Sequence, residues 1–228
     1  FSFFLILCLP FFLITGPAIP DISISLTGFF FLCLLVFGNQ FPEIYKHKWV
    51  LVSIIFWFFL LFISLFSENK YLAYRDAIIF IRILFIPIFI YFWILKDEYK
   101  IKLLTFIICL AVIFVCLDTI YQFTNYDPSV GFGKDIFGYK PESEFYGRLS
   151  GPFKDLVPGA YVSKFSLIGL VFILIYFKNK KLQIPLSITY LTLTGFVTYI
   201  SGERIAFLTF MLGLSFLVIF FQKNILYF

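Results

Sequence analysis

Charge is scarce in this sequence. Only 14% of its 228 residues are Asp, Glu, Lys or Arg, against about 25% in an ordinary soluble domain. With 61% hydrophobic residues, too little polar surface remains to coat a water-soluble core. Most apolar side chains must therefore face lipid or other lipid-embedded helices. Histidine is rarer still: His47 stands alone, which leaves no imidazole set for a metal, and no cofactor is expected. Cysteine is equally uninformative. Cys8, Cys33, Cys109 and Cys116 each lie inside apolar runs, with neither a CxxC pair nor metal-ligand spacing, and read as small lipid-embedded hydrophobes. GxSxG, Walker and HExxH motifs are missing. The basic residues decorate the edges of apolar runs, which excludes a nucleic-acid binder.

What the chain does have is phenylalanine, 36 of them, read as a coding preference rather than a binding device, and long apolar stretches. A bilayer core needs about 20 apolar residues in helical form. Runs of that kind fall at 1–15, 22–39, 49–67, 76–95, 102–121, 158–177, 182–200 and 204–221. The expected fold is all-α: a polytopic membrane protein of about eight helices, one transmembrane domain over 1–228. Pro10 and Pro87 lie within spans and are expected to kink them. Phe1–Leu13 reads as a first membrane helix rather than a signal-peptide core. The chain opens and closes against apolar runs without an initiating Met, so a fragment of a longer protein is expected.

Basic residues set the expected orientation. One alternating set of loops carries Lys46 and Lys48, then Lys96, Lys100 and Lys102, then Lys178, Lys180 and Lys181, then Lys223. The other set is poorer in Lys and Arg. The first set should be cytoplasmic, with the N-terminus, and His47 in YKHKW becomes part of an interfacial anchor. The opposite side carries one long loop, about 122–157, rich in Gly, Pro, aromatics and charges of both signs. Connections of this length are usually functional or disordered, and the aromatic density favours an ordered lid or vestibule.

Two arginines stand out on that outer side: Arg148 in GRLSGPF and Arg204 in SGER. A guanidinium stays charged and presents a planar fork that suits phosphate. Two of them at the bilayer edge suit a ligand with a lipid tail and a diphosphate head. The alternative is that each anchors the interface or pairs with a carboxylate such as Glu144 or Glu203. Ser201 is placed to cap the following helix, whose exposed first-turn N–H groups favour an anion, although Glu203 already offers a carboxylate to that dipole. Arg82 lies inside an apolar span, where a charge is costly unless it faces the bundle interior. Arg75, two turns earlier, projects from a similar face. The pair either continues a basic track inward, or Arg82 forms a structural pair with Asp118 or Asp76. Asp118 and Lys164 are further possible ligand contacts; helix-end capping and snorkelling explain them equally.

Several tracts together resemble the O-antigen ligase and O-antigen polymerase superfamily of bacterial envelope enzymes. They are TGPAIPDIS between the first two spans, DTIYQFTNYDPSVGFG entering the long loop, RLSGPFKDLVPGAY leaving it, and SGERIAFLTF opening the last span, in matching order and spacing. The resemblance covers most of the chain and corresponds to the N-terminal part of a member. It implies a metal-independent glycosyltransferase of the bacterial inner membrane, active at its periplasmic face. Such an enzyme moves a glycan from undecaprenyl diphosphate to lipid A core, or to another repeat unit in a polymerase, during lipopolysaccharide biosynthesis. It implies that Arg148 and Arg204 hold the carrier diphosphate. It also implies a catalytic histidine in a later outer loop, which His47 cannot supply; that residue is expected beyond Phe228, and this chain alone is expected to be inactive. Glu203 departs from the family's pattern, which often has a small residue before the arginine. A polysaccharide transporter or flippase would instead need repeated halves and a polar midplane, and a membrane scaffold would leave the long loop unexplained.

Overall fold

A computed structural model describes residues 2–37, 44–126, 131, 133–140, 148–153 and 158–225. Among them lie eight α-helices and no β-strand: α1 Ser2–Phe12, α2 Ala18–Phe37, α3 Lys48–Ser64, α4 Lys70–Phe89, α5 Glu98–Thr124, α6 Pro158–Tyr176, α7 Lys180–Ile200 and α8 Arg204–Ile225. Each corresponds to one of the apolar runs. Helix α5 is longer than its run at both ends, because Asp97 caps its start by accepting the N–H groups of Tyr99 and Lys100, and the helix continues through Gln122. Asn69 and Asn179 cap α4 and α7 in the same manner, each satisfying one orphan first-turn donor. Beyond Pro87 the α-helix gives way to a π turn at Ile90–Ile94, closed by the Leu95 N–H on the Ile90 carbonyl. A proline-interrupted ladder accommodates such a turn.

Three helical stretches are long and apolar enough to cross a bilayer: α4 with its π turn, α5 and α6. Helices α1, α3 and the described apolar parts of α2 and α8 are shorter. The hydroxyls of Thr27, Thr119 and Thr194 donate to carbonyls one turn back in their own helices, which satisfies them without water. An all-helical chain of this composition is compatible with a membrane protein.

The chain divides into two compact units, Phe1–Leu9 with Pro17–Ile101, and Pro10–Gly16 with Lys102–Phe228. In the first, α4 is the centre, packed by α2 and α3. Phe31 of α2 meets Phe85 and Phe89 of α4 edge-on, and the Trp57 indole of α3 donates to the Ala77 carbonyl at 2.9 Å. His47 lies edgewise against Tyr91 and Phe92, while Lys96 sits over Phe92 and Lys100 over Trp93 and Phe3. Amphipathic stems and rings of this kind suit a membrane interface.

The second unit has the larger continuous core. Ala111, Val112, Val115 and Cys116 of α5 pack with Val162, Leu170 and Ile173 of α6 and Val197 of α7. Helix α6 contacts both α7 and α8. One end of this core is polar, and the two tracts with Arg148 and Arg204 are fastened there.

Candidate functional site

The first tract returns to the end of α5 through one side chain. Gln122 is fully buried. Its Oε1 accepts the N–H groups of Ser150 (3.0 Å) and Gly151 (2.8 Å), and its Nε2 donates to Ser150 Oγ (3.0 Å). Three bonds to one amide fix the backbone of the tract. Leu149, Ser150 and Phe153 point inward and are buried, and Phe153 packs on the Tyr161 ring of α6. Arg148, beside them, is left exposed. Gly151 lies against Thr119 of α5 and Pro158, the first residue of α6.

The second tract closes on the same end. Gly159 of α6 faces Ser201 and Ala206 so closely that a Cβ would collide with the Ser201 side chain; only glycine lets this start of α6 approach the α7–α8 turn. Ser201 does not cap α8. It is the last cap of α7, and its hydroxyl donates to the Thr198 carbonyl at 2.9 Å. Gly202 then turns the chain at φ +73°, a left-handed conformation that favours glycine. Glu203 accepts the Phe207 N–H on its backbone carbonyl and keeps Oε2 shielded without a hydrogen-bond partner. Arg204 begins α8 with an exposed side chain. Contacts thus run from Thr119 through Gly151, Pro158 and Gly159 to Ser201. Among the described residues neither Arg148 nor Arg204 has an ion-pair partner. Glu144, the partner considered for Arg148, lies outside the described residues, as do 127–130 and 141–147 of the long loop.

The same unit holds two buried carboxylates. Asp118 is not at a helix end, and it holds a loop rather than capping: its Oδ1 accepts the Ile136 N–H at 2.9 Å, while Oδ2 has no partner. Asp135 folds the same loop on itself by accepting the Tyr139 N–H, and its Oδ2 is also unpartnered. Burial pushes the Asp135 carboxyl above the ordinary aspartate range, against the opposing pull of its backbone N–H donors. Residues 133–140 are therefore docked onto α5, as an ordered loop would be.

The remaining candidates sit elsewhere. Arg82 meets neither Asp118 nor Asp76; it pairs with Asp21 of α2 (Nη2 to Oδ2, 2.9 Å) and donates to Ser25 Oγ at 3.2 Å. Arg75 pairs with Asp76 at 3.1 Å. Each cation of the supposed basic track has its own acid. Lys164 is exposed on α6.

Gln122, Asp135 and Ser150 were not singled out by the sequence reading. Gln122 carried one usable signal, a second buried-type polar residue four places after Asp118 in an apolar helix, hence on the same face. Ser150 carried none, because its partner Gln122 is 28 residues away, and Asp135 carried none, because a loop aspartate that folds onto Tyr139 looks like any other turn residue. No protein-family profile, characterised protein or solved structure matches this chain.

Proposed function

We propose that the chain belongs to an inner-membrane, carrier-lipid-dependent glycosyltransferase resembling the O-antigen ligases. In this reading the eight helices all cross the bilayer with the N-terminus cytoplasmic, and the polar end of the second unit faces the periplasm. The observation that carries it is the pair of exposed arginines, without acid partners among the described residues, fastened to one end of one helical unit by Gln122 and Gly159.

Arg148 and Arg204 hold the diphosphate of an undecaprenyl-diphosphate-linked glycan. An acceptor hydroxyl on lipid A core attacks the anomeric carbon. The new glycosidic C–O bond forms as the bond from that carbon to the diphosphate oxygen breaks, and the configuration inverts. The hydroxyl proton passes to a base, and undecaprenyl diphosphate leaves with the bonding electrons. Negative charge grows on the departing diphosphate, so guanidinium groups fixed beside it stabilise the transition state more than the bound substrate. A polymerase differs only in taking another repeat unit as acceptor. Arg75 and Arg82, already neutralised, and Lys164 and Asp118 are left outside the diphosphate contacts.

The test is replacement of Arg148 or Arg204 by Ala in the chromosomal gene. Loss of one stabilising contact of this type costs about 10²–10³ in rate, so surface polysaccharide should fall below detection while lipid-linked glycan accumulates and the protein still inserts. Normal polysaccharide in both variants removes the assignment.

A further inference from the structure

Two large apolar side chains stand out on the loop of residues 133–140: Ile136 and Phe137 are 58% and 57% exposed. The backbone that carries them is closed on itself. Asp135 donates its N–H to the Tyr139 carbonyl at 2.9 Å, and Gly138, at a left-handed φ of +87°, donates to the Asp135 carbonyl at 3.1 Å. The Tyr139 N–H goes to the Asp135 carboxylate, which the Phe137 N–H also faces, and the Ile136 N–H goes to Asp118 of α5. All five N–H groups from Asp135 to Tyr139 thus have an acceptor within the protein. A segment that meets hydrocarbon must satisfy its backbone in this way.

The depth of this hairpin is set by α5. Phe114 and Asp118 lie one turn apart on one face of that helix, and the hairpin touches both: Ile136 is bonded to Asp118, and the Phe137 ring meets the Phe114 ring at 6.0 Å. Phe114 is ten residues before the end of α5 at Thr124, about 15 Å at the helical rise. The Phe114 ring also meets Phe11, next to the last residue of α1, and Gly151 joins Thr119 of α5 to Pro158 at the start of α6. The hairpin is therefore level with the ends of α1 and α6, where apolar helix gives way to loop. Lys134 and Lys140 bracket it, both exposed and, among the described residues, without an ion-pair partner. An apolar tip between two ammonium groups fits the boundary of a bilayer, with acyl chains on one side and lipid phosphates on the other. We propose that Asp135–Tyr139 is an interfacial membrane anchor: Ile136 and Phe137 enter the acyl boundary, and Lys134 and Lys140 meet the phosphates. The inference rests on the membrane embedding of α5 and α6, not on glycan transfer.

Single spin labels on the protein in nanodiscs provide the test, in a background with the four native cysteines replaced by Ala. Collision with oxygen, which concentrates in lipid, against collision with a water-soluble nickel chelate reports depth. Labels at Ile136→Cys and Phe137→Cys should lie about 5–10 Å into the headgroup and acyl boundary, while labels at Lys134→Cys and Lys140→Cys should meet the chelate. A label at Leu110→Cys, exposed near the middle of α5, reads the embedding separately: if it meets the chelate, α5 is not in the bilayer and the premise fails with the proposal. With Leu110 in lipid, labels at 136 and 137 that meet the chelate as readily as those at 134 and 140 show a loop facing water. Labels there closed to both reagents show a loop covered by protein. Either result overturns the anchor. If the cysteine-free protein fails to fold, Phe137→Trp in the unaltered background decides: lipids brominated near the head of the acyl chain should quench the added fluorescence, and added fluorescence that escapes quenching overturns the proposal.

Discussion

The two units use arginine in opposite ways. In the first, Arg82 is half-buried in a helix that can cross a bilayer and is neutralised by Asp21, and Arg75 is matched by Asp76. In the second, Arg148 and Arg204 are exposed with no ion-pair partner among the described residues, while two acids of the same unit, Asp118 and Asp135, are buried and accept backbone N–H groups. For Arg82 the difference is one of burial; Arg75 is more than half exposed and pairs with the acid next to it in sequence. A charge inside an apolar span costs several kcal/mol unless paired, so the fold supplies a partner. A charge at an exposed turn carries no such penalty and stays available to a ligand.

Removing the clamp should break the comparison most severely. Gln122→Leu keeps the volume and strands two buried N–H groups, at about 1–3 kcal/mol each. A stability loss of about 2–5 kcal/mol is expected, with proteolysis concentrated near Arg148. An unaltered thermal midpoint would show that the RLSGPF tract is not held by this amide.

Separating Arg82 from its acid comes next. Asp21→Ala should cost about 1–3 kcal/mol through the uncompensated guanidinium, whereas the double replacement Arg82→Leu with Asp21→Leu should recover most of it, since an apolar pair often substitutes for an ionic one. Thermal unfolding in detergent measures both. A double variant as unstable as the single one contradicts a purely pairwise role. If the pair is structural, glycan transfer survives the double replacement.

The smallest effect concerns pH. Asp135 titrates above the ordinary aspartate value because it is buried, so the folded loop binds its proton more tightly than the unfolded chain does. The stabilising contribution is full below the unfolded value of about 3.9 and is lost as pH rises through the folded one. Hydrogen exchange of residues 133–140 should therefore quicken with pH beyond its intrinsic dependence, and Asp135→Asn should remove the excess. An identical pH profile in that variant would refute the link.

Much of the fold was legible in composition. Apolar runs located the eight α-helices among the described residues, because hydropathy is a local property and each helix satisfies its own backbone. Asn69, Asp97 and Asn179 cap the helices that follow them. What escaped was non-local. Asp21 and Arg82 are 61 residues apart, and nothing in either neighbourhood announces the other; the same holds for Gln122 and Ser150, 28 residues apart. Ser201 was misread because a serine between two helices can cap either one, and here the packing against Gly159 leaves its hydroxyl on the α7 side. Arg148 and Arg204 could be picked out because their motifs are short and local, but their attachment to a common end depends on Thr119, Gly151 and Gly159.

The claim at the centre of this account is that Arg148 and Arg204 bind one diphosphate together. Equilibrium binding of undecaprenyl diphosphate to the protein in nanodiscs, wild type against the Arg148→Ala, Arg204→Ala double variant, tests it directly. Losing two sets of charge-assisted hydrogen bonds, about 1.5–3 kcal/mol each, should weaken binding by about 100-fold or more, with undecaprenol bound equally poorly by both proteins. Equal affinity of the two proteins for the diphosphate would contradict the account.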